Sequence, residues 1–152
     1  MKKTYLIVLF IIFSLWNVSA QGETSNWYFG LGAGIHFNND GSVTALTNGK
    51  LNTVEGCTSI SDSAGNLLAY TDGITVYNRN HQIVLNGTGL YGDPSSTQSA
   101  IIVPKPQDPN IYYIFTVDTS VFETDPDFGL NYSILDISLD GGNGAIIQKN
   151  IN

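Results

Sequence analysis

The sequence predicts an all-β fold of antiparallel strands, arranged as a partial β-propeller that follows a signal peptide. Three observations lead to this prediction. The chain has 16 glycines, and Asn, Asp, Ser and Thr cluster between its short apolar runs. No window shows the 3.6-residue apolar spacing of a helix over three turns. Two middle segments also repeat each other at about the length of one propeller blade.

Ten segments fit the strand pattern, in chain order. They are residues 27–29, 34–37, 57–61, 67–71, 75–78, 83–85, 100–103, 112–118, 130–138 and 145–149. The turns between them have a physical basis, since Asp-Gly at 72–73 and the glycine-rich run 140–144 accept positive φ. One helical turn is predicted at residues 93–96, where Asp93 can cap and Pro94 can take the first helical position.

The internal repeat joins residues 58–84 with the segment that begins at Ser99. Each copy runs strand, turn, aromatic-bearing strand ending at an aspartate, and then a further strand. Tyr70-Thr71-Asp72 in the first copy corresponds to residues 115–118 in the second, about 45 residues later, which is the spacing of one propeller blade. The sequence therefore predicts two four-stranded units, with a β-sandwich of similar hairpins as the alternative.

Residues 1–20 have the features of a secretory signal peptide. Lys2 and Lys3 precede an apolar run over residues 5–13, and small residues at 18–20 fit a cleavage site. The apolar run is shorter than the roughly 20 residues that a membrane-spanning helix needs. We therefore expect export, a mature chain that starts at Gln21, and no stable membrane insertion after cleavage.

The charge of the mature chain limits its partners. Without residues 1–20, four basic residues face thirteen acidic ones, a net charge of −9 on 132 residues. Nucleic acids and anionic membrane surfaces are bound by clustered Lys and Arg. The remaining basic residues are widely spread along the chain: Lys50, Arg79, Lys105 and Lys149. We therefore expect no nucleic-acid partner.

Cys57 is the only cysteine, so the chain cannot form an internal disulfide. An exported domain of this kind must be held by core packing instead. No histidine or helix N-terminus is near Cys57 in sequence to lower its pKa. We expect its side chain to be a small buried group and not a nucleophile.

The length of the mature chain is short for a closed propeller. A propeller closes with about four to eight blades of about 40 to 45 residues, and the mature chain supplies about three. We therefore expect residues 21–152 to be an incomplete propeller-like domain, the N-terminal part of a longer protein. The alternative is a truncated gene fragment without independent function.

Residues 87–92 match the letters of a dinucleotide-binding motif, G-x-G-x-x-G. That motif works only when the glycines open a helix whose N-terminal amides hold the pyrophosphate. Here Pro94 and a β-branched strand follow instead. We expect a turn at residues 87–92 and no cofactor.

Titratable side chains give no metal or catalytic signature. His36 and His81 are the only histidines, neither has metal-ligand spacing, and His81 looks like a polar turn residue. We expect no metal site and no catalytic residue. The alternative is a secreted, glycosidase-like hydrolase, which needs two carboxylates at a defined separation. Its candidate acids are Glu55, Asp72, Asp93 and Asp118.

Residues 26–118 resemble a family of exported proteins. The strings "NWYFGLGAGIHFN", "AYTDGITVYNRN" and "DPSSTQSAIIVPKP" carry the resemblance. It is to the N-terminal region of gliding motility-associated, or type IX-secreted, surface proteins. The resemblance implies a propeller-like domain at the front of a longer chain, export across two membranes and a C-terminal sorting domain, which this sequence does not contain. It implies no catalytic residues.

Residues 89–98 are the predicted ligand-binding segment. We expect them to connect one sheet to the next, and residues 99–103 to form the innermost strand of the following blade, where propellers commonly bind ligands. The candidate contacts are Asp93, Ser95, Ser96, Thr97 and Gln98. The predicted function is an exported, non-enzymatic binding or scaffold module linked to gliding or adhesion, with a surface polysaccharide or a protein as partner.

Overall fold

The computed structural model of the chain describes residues 22–119 and 127–152. The predicted signal peptide, residues 1–20, lies outside the described residues. Within those two ranges the fold is all-β, as predicted, with eleven strands and two single-turn 3-10 helices. No helix in them is long and apolar enough to cross a membrane.

The strands follow one another in short succession. They are β1 Asn26–Tyr28, β2 Gly34–Phe37, β3 Val43–Leu46, β4 Thr58–Ser61, β5 Leu67–Thr71, β6 Thr75–Asn78, β7 Ile83–Thr88, β8 Ala100–Pro104, β9 Ile111–Val117, β10 Leu130–Asp136 and β11 Ala145–Ile151. The 3-10 turns are Gly22–Thr24 and Asp140–Gly142. Ten of these strands overlap the ten predicted segments.

Strand β3 was not predicted. Three of its four residues are exposed, so it lacks the apolar alternation that identifies a half-buried strand. It forms because the chain reverses tightly after β2. Asn38 donates its backbone N–H to the carbonyl of Ser42 at 2.9 Å, and Gly41 supplies a φ of +83°.

Two local predictions were wrong. Residues 93–96 form a single β-turn, closed by the Ser96 N–H on the Asp93 carbonyl at 3.0 Å, and not a helical turn. The Thr53 hydroxyl and the Gly56 N–H donate hydrogen bonds to the carbonyls of Pro94 and Ser96, which would accept backbone N–H groups in a helix. Residues 87–88 continue strand β7, because Thr88 pairs with Thr75, so the turn begins only at Gly89.

The strands form two sheets. A three-stranded antiparallel sheet has the order β1-β2-β3, and an eight-stranded sheet has the order β4-β5-β6-β7-β11-β10-β9-β8. The larger sheet consists of two antiparallel meanders, β4–β7 and β8–β11. Its end strands β4 and β8 contact each other, so the sheet is nearly closed and barrel-like.

The two meanders are joined by one parallel strand pair, whereas the sequence predicted antiparallel strands. Ala145 of β11 pairs with Leu85 of β7, and Leu85 donates its N–H to the carbonyl of Gly144 at 3.2 Å. All other strand pairs in the described ranges are antiparallel. The partners lie about 60 residues apart in sequence, so local pattern contains no signal for this pairing.

The predicted internal repeat corresponds to the two meanders. Their first strands begin at Thr58 and Ala100, 42 residues apart. Thr71 near the end of β5 and Thr116 near the end of β9 are both fully buried. Two four-stranded units of blade length are therefore present, as the repeat predicted.

The core has two parts. The larger lies between the two meanders and contains Ile60, Leu68, Ala69, Val76, Val84, Leu90, Ala100, Ile102, Tyr112, Ile114, Leu135 and Ile146. The smaller lies between β1 and the first meander, where Tyr28 and Tyr70 stack with ring centroids 4.6 Å apart beside Leu51. The three-stranded sheet, the first meander and the second meander are thus three layers packed in series.

Cys57 lies at the edge of the smaller core. Its side chain is half-buried, and its Sγ donates a hydrogen bond to the Tyr28 carbonyl at 3.3 Å. Burial, together with the charge of Asp72, raises the pKa of the Cys57 thiol. A thiol that stays protonated is a donor and a poor nucleophile, which agrees with a structural role.

Candidate functional site

The loops that contain the predicted site meet at one end of the two meanders. Here β5 turns into β6, β7 crosses to β8, and β9 ends beside the start of β10. The loop end, as we call this surface, comprises residues 53–57, 72–74, 89–99 and 127–129. Backbone and side-chain hydrogen bonds between these segments fix their positions.

The crossing loop has a turn at its centre. Asp93 accepts the Ser95 backbone N–H on its Oδ1 at 2.7 Å, the geometry of an Asx turn. The β-turn closed by Ser96 encloses the same residues. Asp93 therefore orders the loop, as an aspartate at a strand connection commonly does.

Residues 53–56 hold the crossing loop from one side. Thr53 donates its hydroxyl to the Pro94 carbonyl at 2.8 Å, and the Gly56 N–H donates to the Ser96 carbonyl at 3.0 Å. A Cβ on Gly56 would lie 2.5 Å from both the Ser96 oxygen and the Ser99 nitrogen. Only glycine allows the two backbones to approach this closely.

The hairpin at residues 72–74 holds the loop from the other side. The Gly92 N–H donates to the Gly73 carbonyl at 3.0 Å, and the buried Ser99 hydroxyl donates to the Asp72 carbonyl at 2.5 Å. The Gly73 N–H in turn donates to the Thr71 hydroxyl at 2.9 Å. The crossing loop is therefore anchored at both ends and in the middle.

The anchoring leaves the predicted contact residues in different environments. Ser95, Thr97 and Gln98 are exposed, while Asp93 and Ser96 are half-buried and make the turn. The Gln98 amide also donates to the Ala100 carbonyl at 3.1 Å. The structure thus brings all five onto one loop, with three of their side chains facing solvent.

An exposed aromatic pair at the loop end was not predicted from the sequence. Tyr91 and Phe128 stack with ring centroids 3.9 Å apart and an interplanar angle of 14°, and their side chains are 36% and 42% exposed. Tyr91 leads directly into the crossing loop, and Phe128 precedes β10. The two residues are 37 positions apart, so only the folded chain shows the pair.

The candidate carboxylates of the hydrolase alternative make turns. Asp72 accepts the N–H groups of Ile74 and Thr75 at 3.0 and 2.8 Å. Asp118 accepts the N–H groups of Thr119 and Phe128, both at 2.9 Å. Within residues 22–119 and 127–152 no group of three or more His, Cys, Asp or Glu could hold a metal ion.

His81 connects the smaller core to the turn between β6 and β7. Its backbone has a φ of 59°, and its N–H donates to the Asn78 carbonyl at 2.9 Å, so the predicted turn position is correct. Its Nε2 lies 2.7 Å from the Asn48 amide nitrogen, and its Nδ1 lies 3.1 Å from the Tyr70 hydroxyl. This network favours a neutral ring with the proton on Nδ1.

Acidification should destabilise the fold through His81. Burial and, to a lesser degree, the charge of Lys50 lower the pKa of His81 below its ordinary value of 6.5. The folded state then binds the proton less readily than the unfolded state. His81 therefore stabilises the fold at pH values above 6.5, and this stabilisation is lost as the pH falls below 6.5. We expect urea midpoints to drop as the pH falls from about 6.5, the ordinary histidine pKa, towards the lower pKa of the folded state.

A pair of variants separates His81 from the other titrating groups. His81→Gln should flatten the pH dependence in that range, since the chain then lacks the partly buried imidazole. Gln82→Ala is the control, because Gln82 is exposed beside His81 and carries no titratable group, and it should keep the wild-type dependence. If the urea midpoint of His81→Gln depends on pH as steeply as that of the wild type, protonation of His81 does not cause the loss of stability.

Comparison with known proteins gives no relative. No protein-family model, no curated protein and no solved structure matches the chain.

Proposed function

We propose that the chain is an exported, non-enzymatic binding module and that the loop end is its ligand surface. The observation that carries this proposal is the exposed Tyr91–Phe128 stack beside a crossing loop that is anchored on two sides. A rigid loop next to exposed aromatic rings binds with little loss of conformational entropy. Tyr, with Trp and Arg, is among the side chains that most often dominate binding surfaces.

A surface polysaccharide fits the chemistry of this end best. A sugar ring has an apolar C–H face that packs on an aromatic ring, and hydroxyls that pair with side chains such as Ser95, Thr97 and Gln98. These three side chains are exposed and uncharged. The acidic balance of the chain argues against polyanions as ligands.

The hydrogen bonds of the carboxylates support a non-enzymatic role. Glycoside hydrolysis needs one carboxyl group as general acid and a second free to act as base or nucleophile. Asp72, Asp93 and Asp118 instead accept backbone N–H groups within their own turns. Glu55 lies exposed on the segment that anchors the crossing loop.

We further propose that the layers are blades of a β-propeller. Two four-stranded antiparallel meanders begin 42 residues apart and pack face to face, which is how neighbouring blades are arranged. The loop end would then be one rim of the propeller. The signal-like residues 1–20 and the resemblance to gliding-associated surface proteins support export to the cell surface or the medium.

Binding of purified surface polysaccharide to the protein tests the proposed function. We expect Tyr91→Ala to weaken binding about tenfold, equivalent to about 1.4 kcal/mol, because the stacking surface is lost. The measurement is a dissociation constant by affinity electrophoresis or calorimetry. Leu139→Ala is the control, because Leu139 is 41% exposed in a loop at the opposite end of the sheets.

Two outcomes would contradict the proposal. Equal affinities of wild type and Tyr91→Ala for the polysaccharide would exclude the loop end as the ligand surface. Turnover of a glycan that disappears in Glu55→Ala or Asp93→Ala would favour the hydrolase instead. If the protein binds a surface protein and no polysaccharide, it is still a binding module, but its ligand is a protein.

A further inference from the structure

Two buried side chains next to the loop end each have an atom without a hydrogen-bond partner. Within residues 22–119 and 127–152, these atoms are the Thr116 Oγ1 and the Asn131 Oδ1. Thr116 has no exposed surface, and Asn131 is 2% exposed. A buried polar atom without a partner costs most of the hydration energy of its group, so folded proteins contain few of them. The two atoms therefore indicate a binding partner that satisfies both.

The two side chains lie opposite one another in the second meander. Thr116 of β9 and Asn131 of β10 are register partners. Thr116 follows the core residue Ile114 by two positions, so both side chains point to the inward face of the sheet. Directly opposite side chains in an antiparallel pair have Cβ atoms about 4.5 to 5.5 Å apart. Thr116 and Asn131 do not bond to each other, but one small molecule between them can bond to both.

The orientation of the Asn131 amide is fixed by its nitrogen. The Asn131 Nδ2 donates to the carbonyls of Phe128 and Gly129 at 2.6 and 3.4 Å. Reversing the amide would place the Oδ1 against two carbonyl oxygens, which only accept hydrogen bonds. The unpartnered atom of Asn131 is therefore an acceptor that needs a donor. The Thr116 hydroxyl can both donate and accept.

The internal repeat explains why Thr116 lacks a partner. Its counterpart in the first meander, Thr71, is equally buried. Thr71 donates its hydroxyl to the Thr75 carbonyl at 2.7 Å and accepts the Gly73 N–H at 2.9 Å, both in the tight hairpin after β5. After β9 this hairpin is replaced by a longer connection, residues 118–129. Thr116 therefore has the buried position of Thr71 without the backbone groups that satisfy it.

We propose that a buried water molecule binds between Thr116 and Asn131. The water accepts the Thr116 hydroxyl proton and donates one of its own protons to the Asn131 Oδ1, so both atoms gain a partner. Its second proton can go to the Oγ of Ser133, which is fully buried on the same face two residues along β10. Buried waters typically make about three hydrogen bonds to polar groups that the protein leaves unpaired. The water thus supplies to Thr116 what the hairpin backbone supplies to Thr71.

A metal ion suits this position less well than water. Both unpartnered atoms are neutral oxygens, whereas Ca²⁺ and Mg²⁺ in proteins are bound largely by carboxylates. The nearest carboxylate in sequence is that of Asp118, and it already accepts the N–H groups of Thr119 and Phe128. An uncharged ligand also avoids the cost of burying a charge.

The water connects the core to the exposed aromatic stack. It holds the Asn131 amide, the amide holds the Phe128 carbonyl, and the Phe128 ring stacks on Tyr91. Loss of the water should therefore reach the loop end through Phe128. This consequence for ligand binding rests on the function proposed above, whereas the water site itself does not.

A crystal structure of the protein with its ordered solvent tests the site directly. We expect one water about 2.8 Å from both the Thr116 Oγ1 and the Asn131 Oδ1. Three results would overturn the proposal. They are no density between the two side chains, a protein group in that position, and density ringed by six or more oxygens at about 2.4 Å, which is the coordination of a calcium ion.

Thr116→Val tests the site in solution. Valine has the shape of threonine without the hydroxyl, so the water loses one partner and is held less well. We expect one long-lived water fewer than in wild type by magnetic relaxation dispersion. We also expect the folding equilibrium constant to fall about fivefold, as for the loss of a buried hydrogen bond. In a dry site, valine would instead remove an unpaired hydroxyl, and the equilibrium constant would rise.

Thr71→Val is the matched control, because Thr71 is equally buried and its hydroxyl bonds to backbone groups. It should keep the wild-type number of long-lived waters, and circular dichroism verifies that both variants are folded. An unchanged number in Thr116→Val, or an equal loss in Thr71→Val, would overturn the assignment to this pair. No polysaccharide enters these measurements, so a failed water site and a failed ligand surface are distinguishable.

Discussion

Replacing Ile114 by alanine should lower the free energy of unfolding by about 3 kcal/mol, since buried Ile-to-Ala substitutions cost about 2 to 5 kcal/mol. The Ile114 side chain has no exposed surface, and it lies at the centre of the core between the two meanders. Alanine leaves a cavity that neighbours in paired strands cannot fill, because they are fixed by the ladder with Ile102 and Ser133. The total free energy of unfolding of a domain is only about 5 to 15 kcal/mol, so the loss expected for Ile114→Ala is a large fraction of it.

Urea denaturation followed by tryptophan fluorescence measures this loss. Ile83→Ala is the matched control, because Ile83 is 51% exposed, and surface substitutions change stability by roughly 0.5 kcal/mol or less. If Ile114→Ala costs as little as Ile83→Ala, the two meanders do not share a packed core.

The strands were predictable because their sequence signal is local. In β5 to β7 and β9 to β11, apolar alternation lies between turns rich in Asp, Asn and Gly, and these elements appear within a few residues of their predicted positions. The repeat of four-stranded units was predictable for the same reason. β3 was missed because a short, exposed strand has no alternation to detect.

The site was predictable only in part. Carboxylate, hydroxyl and amide side chains on the crossing loop identified the five candidate residues, and the structure exposes three of them. The bond from Thr53 to Pro94 spans 41 residues, and the Tyr91–Phe128 stack spans 37, so neither has a local pattern. Contacts of this kind depend on how the layers pack, which periodicity along the chain does not encode.

The anchoring of the crossing loop makes Gly56→Ala the most informative variant of the site. A Cβ at residue 56 would lie 2.5 Å from the Ser96 oxygen and 2.5 Å from the Ser99 nitrogen. Both atoms are backbone, so the loop must move as a whole and the Gly56 to Ser96 hydrogen bond is lost. We expect a loss of about 2 kcal/mol in stability, within the usual 1 to 3 kcal/mol of overpacking.

Loop displacement by Gly56→Ala should also reduce polysaccharide binding. Faster hydrogen exchange of the Ser96 region and a dissociation constant raised about tenfold or more are the expected readouts, since a mobile loop loses its preorganisation. Gly41→Ala is the control. Gly41 has a φ of +83°, but a methyl group added there would have no atom within 4 Å, so alanine costs only backbone strain, about 1 kcal/mol. If Gly56→Ala binds as tightly as Gly41→Ala, the fixed position of the crossing loop has no part in recognition, and the ligand surface must lie elsewhere on the chain.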